Sequence, residues 1–138
     1  MNASDQAVWQ DYVQRKRAER MSEAAQVWQA LVAAGGTPET VLAIDFMHFG
    51  QMPAQADALR GQLAQNYSVI VESGPDGYSL VKGTTRPYGI TLSAADHLDW
   101  VGFMCDAAQS HGCVFSTWSL AAPSLGATFS SEAFEAEG

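Results

Sequence analysis

The chain has few cysteines and few basic residues, and it lacks any long apolar run. Its two cysteines, Cys105 and Cys113, form no Cys-x-x-Cys pair, so we expect neither a disulfide scaffold nor a redox motif. Seven lysines and arginines stand against fifteen acidic residues, and a net charge of −8 argues against nucleic acid, whose phosphates would be repelled. No stretch approaches the roughly 18 apolar residues of a membrane helix, and the N-terminus has no apolar run of signal-peptide length. We therefore expect a cytoplasmic protein without direct contact to membranes or nucleic acid.

Sequence motifs of common enzymes are also missing. The glycine-rich stretches fit neither the Walker nor the dinucleotide-binding spacing, and no Gly-x-Ser-x-Gly motif occurs. The nearest approach to a metal cluster is Cys105, His111 and Cys113, with Asp106 as a further candidate. Zinc needs three or four converging ligands, and a buried small apolar side chain is the favoured interpretation of Cys105. We expect no catalytic residue, no cofactor and no metal site.

The negative charge is concentrated in one part of the chain. Residues 1–36 contain four basic and four acidic side chains, whereas residues 37–138 contain three basic and eleven acidic ones. An acidic body fits a partner with a basic surface, although solubility alone also explains a modest negative charge. The basic residues near position 17 favour a solvated helix face with ion pairs, such as Arg15 with Glu19 and Arg20 with Glu23, over an anion site.

Hydrophobic periodicity and turn residues predict an alternation of helices and strands. The first helix, or two helices joined near residues 15–20, ends at Gly35-Gly36. Pro53 suits a first helical position, and Ser93 with Asp96 forms the capping-box pattern of a later helix. The predicted elements are a helix over 3–34, a strand over 40–50, a helix over 53–66, strands over 67–72 and 78–85, a helix over 93–112 and a strand over 113–121.

This order of a leading helix and then strand-helix-strand-strand-helix-strand predicts an α+β fold. Its core matches the ferredoxin-like split βαβ arrangement (βαββαβ), in which two helices cover one face of a four-stranded antiparallel sheet. We expect a single domain over 1–138. It comprises a long N-terminal helical extension at 1–36, the ferredoxin-like core at 37–121 and a flexible acidic tail at 122–138.

The predicted first strand, Thr40–Gly50, is apolar on both faces and yet contains Asp45 and His48. A strand of this kind usually lies inside a sheet, which is where the first strand of a split βαβ belongs. Successive side chains alternate, so residues three apart face opposite sides, and Asp45 and His48 do not form a direct dyad. We expect Asp45 to accept hydrogen bonds from the N-terminal helix or a loop, or to lie on the sheet face that the helices leave open.

The last predicted helix contains two kinds of candidate for a binding surface. Four tryptophans are present in the chain, and aromatic residues beyond the needs of a core mark interfaces. Core packing explains most of them equally well, but Trp100 lies off the apolar stripe of its helix. Asp96 and Asp99 crowd the start of the same helix, where the helix dipole favours carboxylates without any functional reason.

Three stretches of the chain follow an order that a known family shares. They are Ala30–Pro38, Leu42–Phe49 and, after a short helix, Tyr67-Ser68-Val69. In this order, and in the layout of residues 20–121, the chain resembles the bacterial RraB family of regulators of ribonuclease E activity. The last strand of that family carries a Tyr-Asp-Gly-Trp motif. At the matching place this chain has Phe115-Ser116-Thr117-Trp118, which retains the aromatic residue and the tryptophan but not the Asp-Gly pair.

The resemblance implies a small acidic protein that inhibits an RNA-degrading endonuclease by binding it, without chemistry of its own. The acidic body agrees with a protein partner that has a basic surface. The residues predicted to bind the partner are Asp45, Asp99, Trp100, Phe115 and Trp118.

Two other functions remain open at the level of the sequence. The first is an immunity protein that neutralises a cognate antibacterial toxin, because such proteins are small and often acidic. The second is a small enzyme or ligand-binding domain, because ferredoxin-like sheets host many functions. The second predicts a pocket that joins Asp45 or His48 to other polar groups, whereas both binding hypotheses predict an open face bearing acidic residues and Trp100 or Trp118.

Overall fold

A computed structural model describes residues 3–135 and has the predicted α+β class. Three short 3₁₀ turns, at Pro75–Gly77, Pro123–Leu125 and Ser131–Phe134, join or follow the strands. The helices are α1 (Ala3–Ala33), α2 (Pro53–Leu63) and α3 (Ala94–Ser110), and the strands are β1 (Ala43–Gly50), β2 (Ser68–Ser73), β3 (Ser79–Thr84), β4 (Val114–Ala122) and β5 (Ala127–Ser130).

Local sequence determines where the helices begin and end. The first helix is continuous through its basic segment, and Gly35 follows it with φ of +102°, a conformation that glycine adopts without a steric penalty. Pro53 occupies the first turn of α2, as predicted. The capping box of α3 is confirmed, because Ser93 Oγ accepts from Asp96 N at 3.0 Å and Asp96 Oδ2 accepts from Ser93 N at 3.1 Å.

The sheet has five antiparallel strands in the order β2-β3-β1-β4-β5, so the prediction of four strands is corrected. As predicted, β1 lies inside the sheet, paired with β3 on one side and β4 on the other. The added strand β5 pairs with β4 after a tight turn in which Gly126 has φ of +64°. Its sequence, Ala-Thr-Phe-Ser, is only four residues long and has one large apolar side chain, which is a weak signal for a strand.

The predicted flexible tail is thus built into the fold as far as residue 135, and residues 136–138 lie outside the described part of the chain. After β5, the turn Ser131–Phe134 packs against α1. Ser131 is fully buried, and its Oγ accepts a hydrogen bond from the Trp118 backbone N–H at 3.1 Å. This segment covers a part of the core that the predicted four-stranded fold would leave exposed.

The helices lie on one side of the sheet. The second helix packs on β1, β2 and β3, the third packs on β4, and α1 runs beside α3 and reaches β4 and β5. Gly83 lies opposite Phe46 in the β1–β3 register, and a Cβ there would come within 2.2 Å of the Phe46 ring, so the glycine makes room for this aromatic residue. The largest apolar core side chains are Leu31, Leu42, Ile44, Leu59, Leu63, Met104, Trp118 and Leu120.

A β-bulge interrupts the pairing of β1 with β4. Met47 pairs with Thr117, but His48 pairs with Phe115, which leaves Ser116 as the extra residue. Strict alternation in β4 would place Phe115 and Trp118 on opposite faces. The bulge instead turns both side chains to the helix-covered side, where each is only 2% exposed.

Candidate functional site

The face of the sheet opposite the helices, called the open face below, is not covered by any described element. Alternate residues of the strands point to it, and the registers align them into rows across the sheet, two of which line its middle, with a third (Glu72, Leu80 and Phe49) beyond them. The first row is Ser68, Thr84, Asp45, Ser119 and Ser130, and the second is Ile70, Lys82, Met47 and Thr117. The first row therefore surrounds one carboxylate with hydroxyl groups, and the second brings apolar surface beside it.

A groove of about 470 Å³ runs over these two rows and is bordered by Glu132. Its volume lies in the range of roughly 300–1,000 Å³ that is typical of ligand sites. The Lys82 ammonium group is paired with Glu72 at 2.8 Å, so the aliphatic part of Lys82 remains between Ile70 and Met47. The centre of the open face is thus partly apolar, with acidic groups around it.

Asp45 is held in a defined orientation on the open face. Its Oδ1 accepts from Thr84 Oγ1 at 2.6 Å and from Arg86 Nε at 3.3 Å, and its Oδ2 accepts from Arg86 Nη2 at 3.3 Å. Partial burial disfavours ionisation, but the hydrogen bonds from Thr84 and Arg86 outweigh it and lower the pKa of Asp45. The carboxylate is therefore charged at neutral pH and still about half exposed.

His48 lies on the other side of the same strand, so the prediction that it forms no direct dyad with Asp45 is confirmed. Its side chain is fully buried between Phe46 and Phe115, at ring-centroid distances of 5.7 and 4.9 Å. Neither ring nitrogen has a hydrogen-bond partner among the described residues. Burial lowers the pKa of His48 to about 3, so the imidazole is neutral. The groove thus contains Asp45 but not His48.

The structure brings three of the five predicted partner-binding residues together, but in the interior and not on one binding surface: Phe115, Trp118 and Trp100 form one aromatic cluster. Phe115 and Trp118 belong to the core, where the Trp118 Nε1–H donates to His97 Nε2 at 3.1 Å. Trp100 is partly buried beside them, and its Nε1–H donates to the Tyr67 hydroxyl at 3.0 Å. Asp99 is exposed on α3, on the helix side of the sheet. Among these five residues, only Asp45 has an accessible side chain on the open face; Trp118 borders the groove but is 2% exposed.

The two cysteines show no sign of activation. Burial raises the pKa of the Cys105 thiol to about 11, despite the opposing charges of Arg17 and Arg20, and burial also raises the pKa of Cys113. His111 makes a 2.8 Å hydrogen bond through Nε2 to Gln62 Oε1. Within residues 3–135, no group of three or more His, Cys, Asp or Glu side chains is placed to hold a metal ion.

Sequence reasoning missed most of the open face. Arg86, which orients Asp45, is 41 positions away in the chain, and no local pattern links the two residues. The hydroxyl row depends on the registers of five strands, one of which was not predicted. The one indication of a polar face in the sequence was that Ser68 and Ser119 alternate with apolar residues along their strands.

Comparison with known proteins adds no relative to this description. No protein-family model matches the chain, and no curated protein is significantly similar to it. The resemblance to the RraB family therefore rests on the sequence stretches given above. No helix within residues 3–135 is both long and apolar enough to cross a membrane.

Proposed function

We propose that the protein is a non-catalytic regulator that binds another protein through the open face of its sheet, as an RraB-like inhibitor of an RNA-degrading endonuclease. The observation that carries the proposal is the uncovered five-stranded face with a charged, oriented Asp45 on its central strand. A cytoplasmic endonuclease with a basic surface is the partner that the resemblance and the net charge of −8 favour.

The open face has the composition of a protein interface. Met47 and Ile70 provide apolar contact area, and Ile70 is 53% exposed although it is a large aliphatic residue. The carboxylates of Asp45, Glu72 and Glu132 surround this centre, which suits a rim that pairs with lysines and arginines of the partner. The exposed Arg86 can release Asp45 to a cation of the partner, since surface ion pairs are worth only about 0–1 kcal/mol.

The ferredoxin-like description belongs to the same proposal. The first four strands occur in the order β2-β3-β1-β4, with α2 and α3 on one face, and β5 extends this sheet at the β4 edge. In such an arrangement the helices leave one complete sheet face for recognition. The RraB-like reading thus requires only that the partner cover this face.

The test compares two aspartates that each pair with an arginine. Asp45→Asn removes the charge from the open face, and Asp57→Asn removes an exposed charge that pairs with Arg60 on α2, away from the groove. Binding to a purified ribonuclease E-type endonuclease is measured by calorimetry, and inhibition is measured by cleavage of a labelled RNA. We expect Asp45→Asn to weaken binding roughly tenfold, about 1.4 kcal/mol, and Asp57→Asn to change little.

Two results would contradict this proposal. If Asp99→Asn abolishes binding while Asp45→Asn leaves it unchanged, the partner lies on α3 and not on the open face. If the endonuclease does not bind, and pull-down from the native lysate recovers a co-encoded toxin, the protein is an immunity protein and the RraB-like function is wrong.

A further inference from the structure

A second concave site, called the aromatic-amide cleft below, lies at one end of the sheet. It has a volume of about 750 Å³ and is formed where the first turns of α1 pass the end of β1, the start of α2 and the turn between β2 and β3. Its wall on α1 includes Gln10, Trp9 and Tyr12, and its wall on the body includes Phe49, Gln55 and Tyr78. The residues of the open-face groove do not line this cleft.

The lining of the cleft is aromatic and uncharged. None of the twelve described lining residues carries a formal charge, although the chain as a whole has a net charge of −8. Four of the twelve are aromatic and four are glutamines. A charged ligand would lose part of its hydration on entering the cleft, and none of these residues offers an opposite charge to compensate for that cost. The cleft therefore favours an uncharged ligand with polar groups along its length.

The aromatic residues form one pair on each wall. On α1, the rings of Trp9 and Tyr12 are stacked with centroids 6.0 Å apart, and on the body, Phe49 and Tyr78 are edge-to-face at 5.5 Å and 88°. The cations of Arg15 and Lys16 lie 5.8 and 5.6 Å from the Tyr12 ring centroid and help to fix that ring. Both walls thus offer ring faces that are positioned before a ligand arrives.

The glutamine amides of the cleft are available for hydrogen bonding. Within the described part of the chain, the single side-chain hydrogen bond among the lining residues runs from Gln51 Nε2 to the Tyr78 hydroxyl at 3.4 Å. Gly112 leaves space for the side-chain amide of Gln55, because a Cβ at position 112 would lie 2.8 Å from Gln55 Nε2. The lining therefore has unused N–H donors next to its ring faces.

We propose that the aromatic-amide cleft binds an uncharged, proline-rich peptide segment in the polyproline II conformation. A polyproline II chain makes no internal hydrogen bonds, so its carbonyl groups are free to accept from glutamine N–H groups. Its proline rings pack on aromatic side chains, which is how known proline-rich segments occupy aromatic-lined grooves. The glutamines and aromatic residues that line the cleft meet both requirements.

The other common modes of peptide recognition fit less well. Strand addition needs an open strand edge, but at the cleft Phe49 pairs with Leu80 on one side and with Val114 on the other. An amphipathic helix needs a continuous aliphatic groove, whereas amides interrupt this lining. The proposal is independent of the function assigned to the open face, because no residue lines both the cleft and the open-face groove.

The experiment measures the fluorescence anisotropy of a labelled peptide of about ten residues, mostly proline with alanine and leucine, which spans ~31 Å as polyproline II. The full-length protein is titrated against this peptide and against a control peptide in which glycine replaces each proline. Two variant pairs are compared. Gln10→Glu places a carboxylate in the cleft, and Gln29→Glu makes the same change at an exposed position of α1 outside it. Tyr78→Ala removes a ring from the cleft, and Tyr88→Ala removes a ring that is 76% exposed elsewhere.

We expect the proline peptide to bind at least about tenfold more tightly than the glycine peptide. Gln10→Glu and Tyr78→Ala should each weaken it about tenfold or more, whereas Gln29→Glu, Tyr88→Ala and Asp45→Asn should leave it within about twofold. Equal binding of both peptides, no binding up to about 1 mM, or binding of a neutral oligosaccharide in place of the peptides overturns the proposal. If Asp45→Asn weakens the peptide as strongly as Tyr78→Ala, the peptide occupies the open face and the cleft assignment is wrong.

Discussion

At the residue scale, the buried His48 places an unpaired polar ring in the most apolar part of the sheet. Its two ring nitrogens lack partners among the described residues, and burying such a group costs about 1–3 kcal/mol. His48→Leu has similar volume and no polar atoms. We therefore expect it to raise the free energy of unfolding by about 1 kcal/mol at neutral pH, measured by urea denaturation.

The same substitution should change how stability depends on pH. The pKa of His48 falls from 6.5 to about 3 on folding, so its contribution is complete above the unfolded value and is lost as the pH falls from 6.5 toward 3. At about pH 5 the part of this loss that comes from His48 is about 2 kcal/mol and is absent in His48→Leu. Burial also lowers the pKa of His97 to about 4, so the loss that comes from His97 remains in both proteins. His111→Gln, at the histidine that bonds Gln62, serves as the control for replacing a histidine elsewhere in the fold. An identical decline in His48→Leu would show that His48 is not buried as described.

The sequence predicted how the two polar residues of β1 are oriented but not which residues they contact. The period of two along a strand is a backbone property, so the opposite orientations of Asp45 and His48 followed from their spacing. Their partners did not, because Arg86 reaches Asp45 from a loop after β3 and Phe115 reaches His48 from β4. Tertiary contacts of this kind depend on strand register, which single-sequence patterns do not specify.

At the scale of the elements, the C-terminal turn Ser131–Phe134 packs over the core at β4. The Ser131 hydroxyl is the hydrogen-bond acceptor for the buried Trp118 N–H, and it lies where the backbone of β4 has no strand partner for this group. Ser131→Ala leaves this N–H without a partner and should lower the free energy of unfolding by about 1–3 kcal/mol. Thermal or urea unfolding, followed by tryptophan fluorescence, measures the change.

Ser124→Ala is the matched control for this element. Ser124 is exposed in the turn before β5, so its replacement should change stability by no more than about 0.5 kcal/mol. Amide hydrogen exchange provides a second reading, since Ser131→Ala should speed exchange at Trp118 specifically. Equal stability of the two variants would mean that the C-terminal turn is not docked on β4.

The elements that the sequence predicted well are those with strong local determinants. The start of α2 at Pro53, the cap of α3 at Ser93 and the glycine stop after α1 all appear where expected. The bulge at Ser116 and the strand β5 were missed, because a bulge depends on the partner strand and β5 depends on pairing with β4. As a result, sequence patterns did not indicate that Phe115 and Trp118 share one side of the sheet or that a strand and a packed turn follow β4.

At the scale of the whole molecule, α1 meets the body through apolar packing on α3, an exposed Arg17–Asp106 ion pair at 3.1 Å and a buried ionic cluster. Arg20 forms an ion pair with Glu23 at 3.3 Å, and its guanidinium also donates to the Ser116 carbonyl at the bulge. Arg20 and Glu23 are almost completely buried, so the predicted solvated basic face is corrected at this position. Of the two predicted ion pairs, Arg20–Glu23 is present, whereas Arg15 pairs with Asp11 and not with Glu19. The long-range attachment of α1 thus involves a titratable carboxyl group.

The titration of Glu23 predicts that this attachment weakens as the pH rises. Burial raises the pKa of Glu23 to about 7, with Arg20 opposing the shift and Glu135 and Glu19 adding to it. Because the folded pKa lies above the ordinary value of 4.5, the contribution is complete below pH 4.5 and is lost as the pH rises through 7. Glu23→Gln removes this titration. We expect it to match the wild type at about pH 5 and to be more stable by about 2–3 kcal/mol at about pH 8, by urea denaturation.

Glu19→Gln is a comparison on the same helix, at a carboxylate that also contacts Arg20 at 3.4 Å, and its effect should have the opposite sign. Partial burial disfavours the Glu19 carboxylate, but hydrogen bonds and charges from Lys16 and Arg20 outweigh this and lower its pKa. A carboxylate with a lowered pKa stabilises the fold at pH values above its unfolded-state pKa, and this stabilisation is lost as the pH falls. Glu19→Gln should therefore be slightly less stable than the wild type at about pH 8. Opposite signs are expected because the pKa of Glu23 is raised and that of Glu19 is lowered. If both variants change stability in the same direction at about pH 8, the titration of Glu23 does not control how α1 is attached.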